Sequence, residues 1–191
     1  MNELNVTAGD VLHKVYVIGG QEDVPQRVLV ERDARADILV AVLPGVSCDI
    51  SMAVELLGEG AQANVYGAYV CGADEKVRIA VDMYHNVPHC CSRQLFKGIA
   101  GGVSRVDFYG KITVAQDAQR TEAYQENHNL LLSDGAGAPV DPGPPGPADG
   151  QRRGVSDPEG PRRSHDDQNR HPPAYPLLCP LSGPSEGHGA E

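Results

Sequence analysis

The sequence alternates between apolar and polar residues along Val77-Arg78-Ile79-Ala80-Val81-Asp82-Met83. The odd-numbered positions are apolar, while Arg78 and Asp82 fall on the other face of an extended chain. A period of two residues predicts a half-buried β-strand, because successive side chains of a strand point to opposite faces. A strand is therefore predicted here.

Similar β-prone runs surround this strand, and Gly- or Pro-containing turn signals such as Pro44-Gly45 separate them. The runs at 38, 50, 63 and 77 begin 12, 13 and 14 residues apart. Such spacing fits a sandwich, a meander or a β-solenoid, and the short Gly- and Ala-rich connections favour the solenoid. Residues 115–129 have a helix-forming composition but no wide apolar stripe, so no helix is assigned to them. The predicted strands are Val15–Ile18, Arg27–Val30, Ile38–Leu43, Ile50–Leu57, Ala63–Val70, Lys76–Met83 and Val106–Val114.

Composition divides the chain after Asp134. Residues 135–191 contain 12 of the 15 prolines and 10 of the 22 glycines, and apolar residues are sparse there. Proline lacks a backbone donor and glycine loses the most backbone entropy on ordering, so such a segment gains too little from burial to fold. The sequence therefore predicts a β-rich domain over 1–134 and a disordered Pro/Gly-rich tail over 135–191.

Charge and composition exclude several classes of function. The chain of 191 residues carries a formal net charge of −10, which argues against general binding to nucleic acid or to an anionic membrane. Neither a signal peptide nor an apolar run long enough to cross a bilayer is visible. The five cysteines show no CxxC spacing and are expected to be reduced thiols. We therefore expect a soluble cytoplasmic protein.

No enzyme motif is complete in the sequence. Gly110-Lys111 is followed by Ile112 rather than Ser or Thr, so a phosphate-binding Walker loop is excluded. Carboxylate pairs such as Glu122 and Glu126 are of a kind common on solvated surfaces. We predict no catalytic residue and no cofactor-binding residue. One alternative stays open, a β-helix enzyme that acts on carbohydrate with acidic side chains along one flank.

The densest group of potential metal ligands is His85, His89 and Cys90. Imidazole and thiolate are ligands that soft metals and iron–sulfur species prefer. The competing interpretation is a loop histidine beside a buried cysteine, since cysteine is among the most frequently buried residues. These residues are weak candidates for a metal site, and a small metal- or cluster-binding module is the second alternative function.

A long motif resembles the core domain of the SufB/SufD family, whose members are scaffold subunits for iron–sulfur cluster assembly. The family pattern is an FxGKIxV strand followed by AQxTxAxQ and NxNLLLSD. Upstream, His85, Pro88, His89 and Cys90 also look like the family's preceding strand. The amino-acid sequences of the last two blocks are closer to those of SufD than to those of SufB. The matching segments are Phe108-Tyr109-Gly110-Lys111-Ile112-Thr113-Val114, Ala118-Gln119-Arg120-Thr121-Glu122-Ala123-Tyr124-Gln125 and Asn127-His128-Asn129-Leu130-Leu131-Leu132-Ser133-Asp134.

The resemblance implies a fold and partners. The implied fold is all-β, a right-handed parallel β-helix. The implied role is a non-catalytic, SufD-like scaffold of the SUF system, handling nascent iron–sulfur clusters without a predicted resident cofactor. In the family, SufB-like and SufD-like subunits pair through their β-helices, and each carries a SufC-type ATPase on a C-terminal helical region.

The sequence departs from the family pattern after Asp134. The family continues with further β-helix turns, a Cys-x-His-Gly segment at the paired edge and the ATPase-binding helices, and none of these follows here. We therefore expect a C-terminally truncated or frameshifted, SufD-like chain with impaired function. Contact with the ATPase is doubtful on this reading, and no cluster-related residue can be carried over.

Overall fold

The protein is described from a computed structural model, which covers residues 2–19, 24–141 and 151–159. Every regular element in these ranges is a β-strand, and the same ranges contain no helix that could cross a membrane. The strands are β1 (Glu3–Val6), β2 (Val11–Ile18), β3 (Arg27–Val30), β4 (Arg35–Val42), β5 (Cys48–Leu56), β6 (Gln62–Cys71), β7 (Lys76–His85), β8 (Cys91–Ala100), β9 (Arg105–Val114), β10 (Glu122–Leu131), β11 (Val140–Asp141) and β12 (Gln151–Glu159).

The strands form two six-stranded parallel sheets. The odd sheet has the order β1-β3-β5-β7-β9-β11, and the even sheet has the order β12-β10-β8-β6-β4-β2. The chain thus passes from one sheet to the other and back. Lys76 pairs with Arg105 and Gln62 with Cys91, so one full coil takes 29 residues in each case. The spacing of 12–14 residues in the sequence is therefore about half a coil, and the predicted parallel β-helix is confirmed.

Besides β1, β11 and β12, two long strands of the even sheet lie outside the runs that alternation predicts, β8 and β10. Their inward positions include the polar side chains Gln94, Gln125, Asn127 and Asn129. A strand with polar residues on its buried face lacks the contrast between faces on which sequence-based prediction depends. Much of the helix-like composition at 115–129 thus belongs to the strand β10, which begins at Glu122.

The core lies between the two sheets and consists mainly of aliphatic side chains with a few aromatic rings. Phe96 of β8 and Phe108 of β9 are buried, with ring centroids 4.6 Å apart and an angle of 43° between the rings. Gly67, the register partner of Phe96 on β6, leaves room for this pair. A Cβ atom at Gly67 would lie 2.0 Å from the ring of Phe96. The absence of a side chain on one coil therefore accommodates a large ring on the next.

Within the described residues, five corners lead from the odd sheet to the even sheet between β1 and β10, and they share one backbone conformation. Each contains a residue with positive φ, a region that costs most residues other than glycine about 1 kcal/mol. Three of the five positions hold a residue other than glycine. At these corners the solenoid geometry therefore outweighs the preference of the residue for negative φ. The residues are Gly9 (φ 79°), Asp33 (54°), Gly60 (77°), His89 (60°) and Arg120 (58°).

The chain also turns where it passes from the even sheet to the odd sheet. At one such corner, between β6 and β7, the buried carboxylate of Glu75 binds the backbone through hydrogen bonds. It accepts hydrogen bonds from the backbone N–H of Ala73 at 2.8 Å, of Gly72 at 3.1 Å, and of Gly45 in the preceding coil at 3.0 Å. The bond from Ala73 and those from its neighbours lower the pKa of Glu75 from 4.5 to about 2. One side chain thus ties two coils together.

We expect Glu75→Gln to lower the thermal midpoint at pH 7 by several degrees and to flatten its dependence on pH. Because the folded-state pKa lies below the unfolded value, the contribution is complete above about pH 4.5 and is lost as pH falls toward 2. Thermal unfolding of both proteins between pH 7 and pH 3 measures this. The exposed neighbour Asp74, changed to Asn, is the control. Identical pH profiles for wild type and Glu75→Gln would contradict the assignment.

The structure describes the predicted tail over 135–191 only in part. Of residues 135–191 it describes 135–141 and 151–159, where β11 pairs with β9 and β12 pairs with β10. The backbone groups along the edges of β9 and β10 need partners, and a ladder supplies them whatever the side chains are. The rest of the predicted tail, residues 142–150 and 160–191, lies outside the described residues.

Candidate functional site

The three candidate ligands of the sequence lie at one corner of the solenoid. His85 is the last residue of β7, and His89 and Cys90 belong to the turn that leads to β8. The side chains have different surroundings: His85 and Cys90 are buried, and His89 is exposed. The described residues contain no group of three or more His, Cys, Asp or Glu side chains placed to hold one metal ion. The structure therefore does not bring the three candidates together.

His85 occupies a place in the core that aliphatic residues fill in neighbouring coils. It is fully buried and pairs in register with Leu56 on one side and Val114 on the other. Its Nε2 lies 2.8 Å from Oγ of Ser92 across the core, whereas its Nδ1 has no hydrogen-bond partner in the described residues. Burial lowers the pKa of His85 from 6.5 to about 4, so the ring is neutral at pH 7.

Cys90 lies on the inner side of the corner. The preceding coil has Ala61 at this position, because Gln62 and Cys91 are register partners. The thiol of Cys90 donates a hydrogen bond to the carbonyl oxygen of Gly58, with sulfur and oxygen 3.4 Å apart. Burial raises the pKa of Cys90 to about 11. Since the thiolate is the form that binds metals and attacks electrophiles, the protonated thiol is poorly suited to either role at pH 7.

His89 is the positive-φ residue of its corner, equivalent to Gly60 one coil earlier and Arg120 one coil later. Its backbone N–H donates to the carbonyl oxygen of Gln119, which links this coil to the next. The residue types at the equivalent corner positions differ widely. What this position has in common with its equivalents is therefore the backbone turn rather than the side chain.

A group of inward-facing polar side chains on β8 and β10 was not predicted from the sequence. The side-chain amides of Gln94 and Gln125 donate to the backbone carbonyl oxygens of Val81 and Gly110, each at 3.4 Å. Gly110 is the register partner of Val81, and its lack of a side chain leaves room for both glutamines. One feature of the sequence could have revealed these side chains: a polar residue at every second position indicates a strand with a polar inner face, as at Gln125, Asn127 and Asn129.

Tyr69 links three coils of the even sheet. Its ring lies over Gly98 of β8, and its hydroxyl donates to the side-chain oxygen of Asn129 on β10. Tyr69 and Asn129 are the register neighbours of Gly98 on its two sides. A buried tyrosine hydroxyl needs a partner, and one polar residue two coils away supplies it. The inner polar group thus supports packing between coils rather than forming an open reaction site.

We expect the free energy of unfolding to fall by about 3 kcal/mol between pH 6.5 and pH 4 because of His85. The unfolded chain takes up a proton below pH 6.5, whereas the folded chain takes it up only near pH 4, so stability is lost as pH falls through this window. Urea unfolding at intervals across the window measures the slope.

The slope should largely disappear in His85→Leu, which matches the aliphatic residues in the neighbouring coils. Exposed His128, changed to Gln, serves as the control and should leave the slope unchanged. An unaltered slope in His85→Leu would show that another group titrates in this range.

Comparison with known proteins identifies the family. Residues 23–143 match the family model described as SUF system FeS cluster assembly, SufBD core domain. The chain belongs to this family. The SufBD match covers the strands from β3 to β11, which include the polar side chains of β8 and β10.

Curated relatives of this SufBD-family chain carry iron–sulfur cluster assembly in their names. The iron–sulfur cluster assembly protein SufD of Escherichia coli (strain K12) is 32% identical over 105 residues, which are 55% of this chain and 25% of that protein. A SufBD family protein of Mycobacterium leprae is 28% identical over 149 residues, 71% of this chain and 38% of the relative. A third, from Mycobacterium bovis, is 29% identical over 116 residues, 56% of this chain and 29% of the relative.

The chain therefore spans between about a quarter and two fifths of the length of these relatives. No solved structure matches it.

Proposed function

We propose that this chain is a SufD-like, non-catalytic scaffold subunit of the SUF system for iron–sulfur cluster assembly, acting in the cytoplasm. The observation that carries the proposal is the match of residues 23–143 to the SufBD core domain. The names of the relatives in Escherichia coli and Mycobacterium support it. The iron–sulfur cluster is then the cargo of the assembly, not a resident cofactor of this chain.

The construction of the solenoid supports a scaffold role. Parallel ladders run through both sheets, and aliphatic and aromatic side chains fill the space between them. Because each coil is hydrogen-bonded to the next, the outward side chains lie on a regular and rigid surface. Such a surface is suited to holding partner subunits in a defined arrangement.

The proposed partners are a SufB-like sibling subunit and, through it, a SufC-type ATPase. The family resemblance assigns the ATPase to a C-terminal helical region, and residues 2–19, 24–141 and 151–159 contain no helix. We propose that residues 1–134 act as a partial SufBD core and that scaffold function is weaker than in the longer relatives. A direct contact with the ATPase is not part of the proposal.

Co-expression of the tagged 191-residue chain with each partner tests the proposal. The sibling is expected to be retained by the chain, and the ATPase is expected only when the sibling is present. Full-length Escherichia coli SufD with its own partners is the positive control. Retention of the ATPase by the chain alone would contradict the proposed arrangement, and failure to retain the sibling would contradict the scaffold role.

A further inference from the structure

A groove of about 360 Å³ runs along the corners through which the chain passes from the odd sheet to the even sheet. Four successive coils line it: Ala8 belongs to the first, Glu31 to the second, Leu57 and Glu59 to the third and Val87 to the fourth. Since neighbouring coils are about 4.8 Å apart, the groove is about 14 Å long. We call it the corner groove.

The walls of the corner groove are fixed by backbone hydrogen bonds between successive corners. The N–H of Gly9 donates to the carbonyl oxygen of Arg32 at 2.9 Å, and the N–H of Asp33 donates to that of Glu59 at 3.0 Å. A Cβ atom at Gly58 would lie 2.2 Å from the backbone nitrogen of Arg32, so glycine at this position lets the two corners approach closely. An occupant of the groove therefore meets a surface that is already formed, which lowers the cost of binding.

Part of the lining is aliphatic. The side chain of Leu57 is 41% exposed, Ala8 is exposed, and Val87 is half-buried and packs against the core. Pockets that bind a ligand combine apolar lining with a few polar groups that orient it. The corner groove therefore suits an occupant that has an aliphatic part.

Carboxylates predominate among the charged groups of the corner groove. Glu31 accepts one hydrogen bond, from the N–H of Ala8 at 3.0 Å, through Oε2. Glu59 is exposed, and its carboxylate makes no hydrogen bond or ion pair with the described residues. A Cβ atom at Gly60 would lie 2.2 Å from Oδ1 of Asp33, so a third carboxylate lies beside the corner that contains Glu59. The polar side of the groove is thus suited to a cation.

The shape and chemistry of the groove favour a cationic side chain over a metal ion. The described residues contain no group of three or more His, Cys, Asp or Glu side chains placed to hold one metal ion. A lysine or arginine side chain has an apolar stem and a charged head, which match aliphatic lining beside carboxylates. The length of the groove corresponds to about four residues of an extended chain at about 3.4 Å per residue.

We propose that the corner groove binds a basic, extended segment of a partner protein. The stem of a lysine or arginine side chain lies on Leu57 and Val87, and its charged head meets Glu31 and Glu59. The carboxylates attract such a segment, whereas the charge of Arg32, which also lines the groove, opposes it. The inference does not depend on the proposed function, since the chain alone is tested and retention of the SufB-like sibling is measured separately.

Fluorescence anisotropy of a labelled peptide mixed with the full chain tests the inference. The probe is fluorescein-Gly-Leu-Lys-Leu-Lys-Gly-amide, and the same peptide with glutamate in place of lysine is the acidic comparison. We expect the basic peptide to bind saturably at low salt, with a dissociation constant of about 10–100 μM. Binding should weaken several-fold when salt is added, because the charged groups are exposed and salt screens them. The acidic peptide is expected not to bind.

Variants of the charged lining residues locate the binding. Glu31→Gln/Glu59→Gln should raise the dissociation constant about tenfold, while glutamine retains the acceptor that Glu31 offers to the backbone. Arg32→Gln removes a like charge and should lower the constant about twofold. Glu122→Gln/Glu126→Gln changes the net charge equally on the even sheet and should leave the constant unchanged. Circular dichroism and thermal unfolding show whether each variant is folded.

Four results would overturn the proposal. The first is a basic peptide whose binding does not saturate up to about 1 mM. The second is an equal loss of affinity in the control Glu122→Gln/Glu126→Gln, which would show attraction to the net charge of the chain. The third is weaker binding in Arg32→Gln, which would mean that the occupant presents an anionic group. The fourth is competition by free spermidine as strong as that by unlabelled peptide, which would assign the groove to a free polycation.

Discussion

Replacing Phe96 with alanine is expected to lower the free energy of unfolding by about 3–5 kcal/mol, the usual cost of removing a buried ring. Phe96 is fully buried, and its ring lies 4.6 Å from that of Phe108 on the other sheet. Removing it takes away the aromatic contact between the two sheets. It also leaves a void beside Gly67, which has no side chain with which to fill it. Urea unfolding followed by circular dichroism measures the loss.

Phe96→Leu and Val103→Ala provide the comparison for this variant. Leucine retains most of the buried volume and should cost clearly less than alanine. Val103 is exposed, so its truncation should change stability by no more than about 0.5 kcal/mol. A loss below about 1 kcal/mol in Phe96→Ala would mean that the two sheets do not pack through this pair.

The second large effect is expected from Gly98→Ala, a substitution that adds a single methyl group. A Cβ atom at residue 98 would lie 1.7 Å from the ring of Tyr69, so the ring must move. The movement breaks the hydrogen bond between the tyrosine hydroxyl and Asn129 and leaves both groups unpaired in the core. We expect a loss of about 3 kcal/mol, measured by urea unfolding, since overpacking alone costs about 1–3 kcal/mol.

A double-mutant cycle separates this explanation from a general intolerance of alanine. In the Tyr69→Leu background the space over residue 98 is open, and Gly98→Ala should cost less than about 1 kcal/mol. Gly72→Ala is the matched control, because nothing lies within 4 Å of a Cβ atom at that position. Equal costs of Gly98→Ala in the two backgrounds would show that the ring of Tyr69 is not the obstacle.

Both predictions rest on contacts between residues far apart in the sequence, which limited what alternation could predict. Strands with aliphatic inner faces, such as β7 and β4, were predicted from their period of two residues. β10 was not, because its inward Gln125, Asn127 and Asn129 remove the contrast between its faces. Gln125 and Asn129 become intelligible once their hydrogen bonds to Gly110 on the other sheet and to Tyr69 two coils away are known. Asn127 in turn accepts a hydrogen bond from Asn129 on the same strand.

The candidate ligands show the same limit in the functional site. His85, His89 and Cys90 are close in sequence, and that closeness is what suggested a metal site. In the solenoid they occupy three different environments: an inward strand position, a corner with positive φ and the inner side of that corner. Adjacency along a chain that turns a corner therefore does not mean convergence of side chains.

The sequence by itself determined the all-β class, the short strands at half-coil spacing and membership of the SufBD family, because these reside in local periodicity and in a contiguous motif. Only the tertiary structure decided which side chains meet. Stacking one coil on the next brings together residues about 29 positions apart, as it does Gly67 with Phe96 and Val70 with Ile99. The packing of rings over glycines does not exist before the chain has coiled, since it is made by neighbours in the sheet rather than along the chain.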